Sequence, residues 1–189
     1  MNRRFYSLVR IAFQIVMVLM LFQAAASGSQ IPITNIVVQL DTGDVARPAG
    51  RDFIMTSLER ELRLRGFMGR IRVMEDPNQA PESGETLIKV TITKSRWLTR
   101  KLLSIPYIVN RYKREFVMES FVEIPEGKNG MAIKRLKVIS EAPAVAQYAN
   151  NDKFDPALFP YQTEKLETEE RTMRLLASRL ADHLLNNLK

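Results

Sequence analysis

The sequence predicts an α+β fold: a single mixed or antiparallel sheet of about five strands, with two amphipathic helices packed on one face. Three observations predict it. Thr86–Trp97 alternates between apolar and polar residues, the signature of a strand with one wet face. Glu164–Leu188 places Met173, Leu176, Leu180, Leu184 and Leu188 on one helical stripe. The order of elements is strand, helix, strand, three strands, helix, without an internal repeat. One sheet face can then cover both helical stripes.

The first segment reads as an address. Met1–Arg10 holds Arg3, Arg4 and Arg10 and no acid, Ile11–Gln23 is apolar apart from two Gln, and Ala24–Ser29 is built of small residues. A basic region, a short apolar region and a small-residue site form a secretory signal peptide over residues 1–26, with cleavage expected after Ala26. The apolar run is short for a membrane span. An uncleaved anchor is the other reading.

Residues 27–189 then form a single α+β domain. Ile33–Leu40 is rich in β-branched residues and reads as a strand. Asp41–Gly50 has turn chemistry. Asp52–Gly66 reads as a helix with Asp52 as N-cap, a stripe of Ile54, Leu58 and Leu62, and Gly66 as its stop. Arg70–Met74 is a short strand, parallel to the first because a helix joins them. Asp76–Glu85 is a polar loop. Along Thr86–Trp97, Ile88, Val90 and Ile92 face the core while Lys89, Thr91, Thr93 and Ser95 face water. Phe116–Ile124, the turn Pro125–Gly130 and Met131–Ser140 make a hairpin. Glu141–Tyr161 lacks a sustained period and reads as a long ordered loop.

Composition removes several function classes. The 189 residues include no Cys and one His, so thiolate metal sites, iron–sulfur clusters and a Cys nucleophile are excluded, and a His-based triad or metal site is hard to build. No cofactor and no metal site is expected. The 28 basic and 21 acidic residues give +7, but without Arg3, Arg4 and Arg10 the balance is 25 to 21, or +4. That mild charge on an exported chain argues against a nucleic-acid partner. Asp41-Thr42-Gly43-Asp44 resembles the start of a calcium loop but lacks the further acids, so a turn is expected. His183, one position off the apolar stripe, is expected as a surface or flanking residue. Glu167, Glu169 and Glu170 are expected to serve the helix dipole and solvation. Nothing matches a phosphate loop, a dinucleotide fingerprint or a nucleophile elbow, so the protein is expected not to be an enzyme.

The most informative stretch is Lys94–Arg114, KSRWLTRKLLSIPYIVNRYKR, which contains seven cations and no acid. The candidate ligand-binding residues are Lys94, Arg96, Trp97, Arg100, Lys101, Arg111, Lys113 and Arg114. Cations interleaved with Leu, Ile, Val, Trp and Tyr suit an anionic amphiphile, phosphate above and acyl chains below. The competing reading is a plain hairpin whose apolar residues join the core and whose cations meet water. Spacing alone leaves both open.

Three segments also resemble the LptE family of lipopolysaccharide-assembly proteins. They are ITNIVVQL with the helix of Phe53–Phe67, then ETLIKVTITKSRW (Glu85–Trp97), then TEKLETEERTMRLLASRLADHLLNNL (Thr163–Leu188). The resemblance covers most of the mature chain by pattern. It implies an exported, non-catalytic protein of the periplasm, peripheral at the outer membrane, that assists lipopolysaccharide or lipid transport. Its partners would be an outer-membrane β-barrel or other envelope protein, and lipopolysaccharide or another anionic lipid. Lys94, Arg96, Arg100 and Lys101 are the glycolipid candidates it implies. The lipid-bearing N-terminal Cys usual in that family has no counterpart here. A periplasmic scaffold subunit of a secretion or motility assembly is the alternative expectation.

Overall fold

In the computed structural model, the described residues are 35–42, 48–76, 79–106, 108–127, 129–148 and 162–188. The expected signal peptide and residues 43–47 of the turn at Asp41–Gly50 lie outside them. The elements are β1 (Asn35–Asp41), α1 (Pro48–Leu64), β2 (Ile71–Val73), β3 (Glu85–Ile105), β4 (Val109–Gly127), β5 (Gly130–Tyr148) and α2 (Gln162–Asn187). They form one five-stranded sheet in the order β2-β1-β3-β4-β5. β1 is parallel to both β2 and β3; the helical crossover through α1 makes the first of these pairings parallel. β3, β4 and β5 follow as an antiparallel meander. The fold is therefore α+β with a mixed sheet.

Both helices pack on one face. Ile54, Leu58 and Leu62 of α1 and Leu176, Ala177, Leu180, Ala181 and Leu184 of α2 share a buried cluster with Ile36, Val38, Ile88, Val90, Met118, Val122, Ile124 and Val138 of the sheet. Ala177 and Ala181 carry little bulk, which lets helix α2 lie close. The helices are also tied to one another. Arg65 of the α1 end donates to Asp182 Oδ1 at 2.9 Å and to Ser178 Oγ at 2.8 Å.

Helix α1 ends where the sequence places its stop. Gly66 takes φ +84°, the Phe67 N–H donates to Leu62 O and the Gly66 N–H to Arg63 O, both at 3.0 Å. That pair of bonds is a Schellman cap, and the burial of Phe67 and Leu62 supplies its apolar contact. The start differs from expectation. The helix begins at Pro48, one turn before Asp52. A proline suits the first helical position because its missing N–H would have no intrahelical partner there.

The antiparallel strands are longer than their patterns suggest. Instead of ending at Trp97, β3 runs to Ile105, and β4 starts at Val109 rather than Phe116. The basic stretch is thus two paired strands. β5 absorbs Glu141–Tyr148 of the expected loop. Pro143 sits within a register shift on this edge strand, one of the few places where a sheet tolerates proline. Residues 149–161 lie outside the described set.

Truncation of the shared core tests this packing. Leu180→Ala should lower unfolding free energy by about 2–5 kcal/mol, because Leu180 is fully buried between helix and sheet. Urea unfolding would show a lower midpoint with an unchanged slope.

Candidate functional site

The face of the sheet opposite the helices carries the basic residues. Which side chains reach it is decided by a β-bulge. Ile92 pairs with Ser120, but the next β3 partner is Lys94, opposite Glu119, so Thr93 is the extra residue. The Thr93 hydroxyl donates to the Glu119 carbonyl at 3.3 Å, beside the break in the ladder. Before the bulge, even-numbered residues of β3 face the helices. After it, odd-numbered residues do. Ser95, expected on the wet face, therefore turns inward, and so does Trp97.

Trp97 is a packing residue. Its ring lies 5.2 Å from that of Phe116, centroid to centroid, and its indole N–H donates to Glu169 Oε1 of α2 at 2.9 Å. Glu169 thus latches the helix to the sheet, beyond the dipole role expected of it. Arg114 also leaves the surface set. It is 1% exposed, and its Nε donates to the Pro143 carbonyl at 3.1 Å while Nη2 reaches Glu164 at 3.4 Å. It joins β4, β5 and α2. Lys101 pairs with Tyr112 on the inward side of the ladder but is exposed.

The remaining candidates line up on the open face. Cross-strand rows run Lys94–Glu119–Lys137, then Arg96–Val117–Ile139, then Leu98–Glu115–Glu141, then Arg100 beside Lys113. Neighbours within a row have Cβ atoms about 5 Å apart, so each row acts as a unit. The acids are the sheltered members. Glu119 and Glu115 are buried, whereas Lys94, Arg96, Arg100, Arg111, Arg135 and Lys137 are exposed. Glu119 is ion-paired to Arg135 and lies 3.7 Å from Lys137. The Arg135 hydrogen bond, helped by the charges of Lys94 and Lys137, holds its carboxyl below the usual range. Glu115 pairs with Lys113 at 3.0 Å and Arg100 at 3.8 Å. Hydrogen bonds to Glu141 and Glu115 raise the Lys113 ammonium above its ordinary value.

The result is a cationic surface with apolar inserts. Phe121, Ile133 and Ile139 are 40, 58 and 44% exposed on it, and the Arg135 guanidinium lies 5.9 Å from the Phe121 ring centre. Arg135, Lys137 and Phe121 were not among the sequence candidates. A signal for them exists: Ile133, Arg135, Lys137 and Ile139 share one parity, opposite to Leu136 and Val138. Which β3 residues they meet depends on the bulges. A separate open cleft of about 320 Å³ between α1 and β2 is lined by Asp52, Met55, Thr56, Glu59, Ile71 and Val73, and none of the basic candidates enters it.

His183 is 8% exposed, which corrects the expectation of a surface residue. Its Nδ1 meets Asn187 Nδ2 at 3.1 Å. Burial, then the Lys134 ammonium, pushes its pKa below the ordinary value. The unfolded chain therefore binds the proton more readily, so stability falls as pH drops through about 6.5 and levels off below the folded-state pKa. His183→Asn should flatten the stability profile between pH 7 and 5, read by thermal unfolding, since the chain has one His. Location also separates the arginines. Arg114→Ala should cost about 2–3 kcal/mol, while Arg96→Ala stays within about 0.5 kcal/mol in the same urea titration.

No family model and no curated protein matches the sequence. Solved structures similar to the chain include a minor lipoprotein from Acinetobacter baumannii, at 14% identity and TM-score 0.34, covering 82% of this chain and 89% of that one. Another is a Helicobacter pylori homolog of neuraminyllactose-binding hemagglutinin, at 10% identity and TM-score 0.46, covering 81% and 91%. A third is rare lipoprotein B from Shewanella oneidensis, at 12% identity and TM-score 0.35, covering 79% and 91%. Likeness at this level assigns neither a family nor a ligand.

Proposed function

We propose that the protein is an exported, non-catalytic cell-envelope component that assists lipopolysaccharide or lipid transport or assembly at the outer membrane. In this reading it binds anionic glycolipid on the open face of its sheet and docks on a β-barrel partner. The observation that carries the reading is that open face: exposed cations with Phe121, Ile133 and Ile139 set between them. A phosphorylated glycolipid presents the complementary pair of surfaces, phosphates for the Arg and Lys donors and acyl chains for the apolar inserts. Sheltered Glu115 and Glu119 hold the cations in position through ion pairs without themselves fronting the surface. The barrel partner draws support from β5. It is an edge strand that pairs only with β4 among the described residues, and edges offer N–H and C=O groups to another chain.

Co-purification from detergent-solubilised envelope should bring down a β-barrel protein together with lipopolysaccharide. Lys94→Ala/Arg96→Ala/Arg100→Ala should weaken lipopolysaccharide binding by about 100-fold, at roughly fivefold per cation. A protein that captures neither lipopolysaccharide nor any envelope protein would sink the proposal. If the triple variant disturbs an assembly yet keeps its glycolipid affinity, the face is a protein contact, as in a scaffold subunit.

A further inference from the structure

The far end of the β3–β4 hairpin is chemically unlike the rest of the sheet. Leu102, Leu103, Ile105 and Ile108 are 57, 52, 38 and 60% exposed, four large apolar side chains within seven residues. They stand away from the helical layer, since Trp97 is the last β3 side chain that packs against the core cluster. An extended strand advances about 3.3 Å per residue, so Ile105 lies roughly 25 Å beyond Trp97. The tip is ordered by its own bonds. The Ile108 N–H donates to the Ile105 carbonyl at 3.1 Å, and Ser104 Oγ donates to Asn110 Oδ1 at 2.7 Å. A second register shift, between Lys101 and Leu103, leaves Leu102 without a ladder partner.

A collar of cations stands directly behind the apolar tip. Lys101 lies on one side of the ladder, and Arg100 and Arg111 on the other. Among the described residues, no carboxylate lies within ion-pair distance of Lys101 or Arg111, and Arg100 reaches Glu115 only at 3.8 Å. Apolar tip below, cations on both sides above and no acid between them: this order matches the profile of an anionic bilayer interface, with acyl chains under phosphates. A water-soluble polyanion would leave the four apolar side chains in water, and an apolar protein pocket would leave the collar without its counter-charge.

We infer that the hairpin tip inserts into the interface of a bilayer containing anionic lipid. Leu102, Leu103, Ile105 and Ile108 lie below the phosphates, and Arg100, Lys101 and Arg111 lie at their level. The envelope reading supplies the membrane, but the tip contact concerns the bilayer itself and is separable from glycolipid binding on the open face.

The chain contains no Cys, so Ile108→Cys provides a unique attachment for an environment-sensitive fluorophore. The full chain, purified from the envelope, is mixed with vesicles of phosphatidylcholine and phosphatidylglycerol. Glu167→Cys, exposed on α2 on the opposite side of the sheet, is the control. At position 108 the label should shift to the blue and be quenched by nitroxide-bearing lipid, while the label at position 167 does neither. Lys101→Ala with Arg111→Ala should weaken the effect about 25-fold, at roughly fivefold per cation. Pure phosphatidylcholine vesicles should give little response. A label at position 108 that remains in water on anionic vesicles overturns the inference, as does one shielded only when an envelope protein is added. Lipopolysaccharide binding, measured in parallel, separates the two proposals. Retained binding with no tip insertion overturns the tip contact alone, and insertion without lipopolysaccharide binding overturns the glycolipid site alone.

Discussion

One inserted residue governs the chemistry of this sheet. Side chains on a strand alternate with period two, so an unpaired residue exchanges the two faces for everything beyond it. Thr93 is that residue. Without it, Trp97 would point into water and Lys94 and Arg96 would be driven toward the helices, where a charge without a partner is costly to bury. With it, Trp97 reaches Phe116 and Glu169, and the cations reach solvent. The hydrophobic core and the basic face are consequences of the same backbone irregularity.

Much of the framework was legible because it is local. The alternation of Ile88, Val90 and Ile92, the stripe from Leu176 to Leu184 and the glycine stop at Gly66 each depend on neighbours a few residues away. The strand extensions were not legible. In Thr99–Ile105 every residue is exposed, so nothing selects an alternating pattern and the propensity signal is diluted by cations. Arg114 was misread as a surface residue for a different reason. Its partners, the Pro143 carbonyl and Glu164, come from β5 and α2 and are distant in sequence. His183 is similar: one position off a stripe, it is buried because β5 and its Lys134 stand opposite that flank.

The charges of the open face matter more for surface potential than for stability. Exposed ion pairs contribute about 0–1 kcal/mol each, and salt screens them. The arrangement of Glu115 and Glu119 is more informative than their number. Set low in the sheet between strands, they restrain the long cationic side chains, which reduces the freedom those chains lose when a ligand arrives. The same acids keep eight-odd cations from repelling one another across three adjacent strands.

Pro143 has a further consequence for the sheet's outer boundary. It lacks an N–H, and its carbonyl is already occupied by the Arg114 guanidinium. β5 therefore does not offer one uninterrupted row of hydrogen-bonding groups. Its edge is divided into a stretch of Gly130–Ala142 and a short remainder toward Tyr148. A strand that joins this edge must stop or bend at the break, which sets its register from the outset. The same interruption discourages the edge-to-edge pairing of copies that a long flat edge invites.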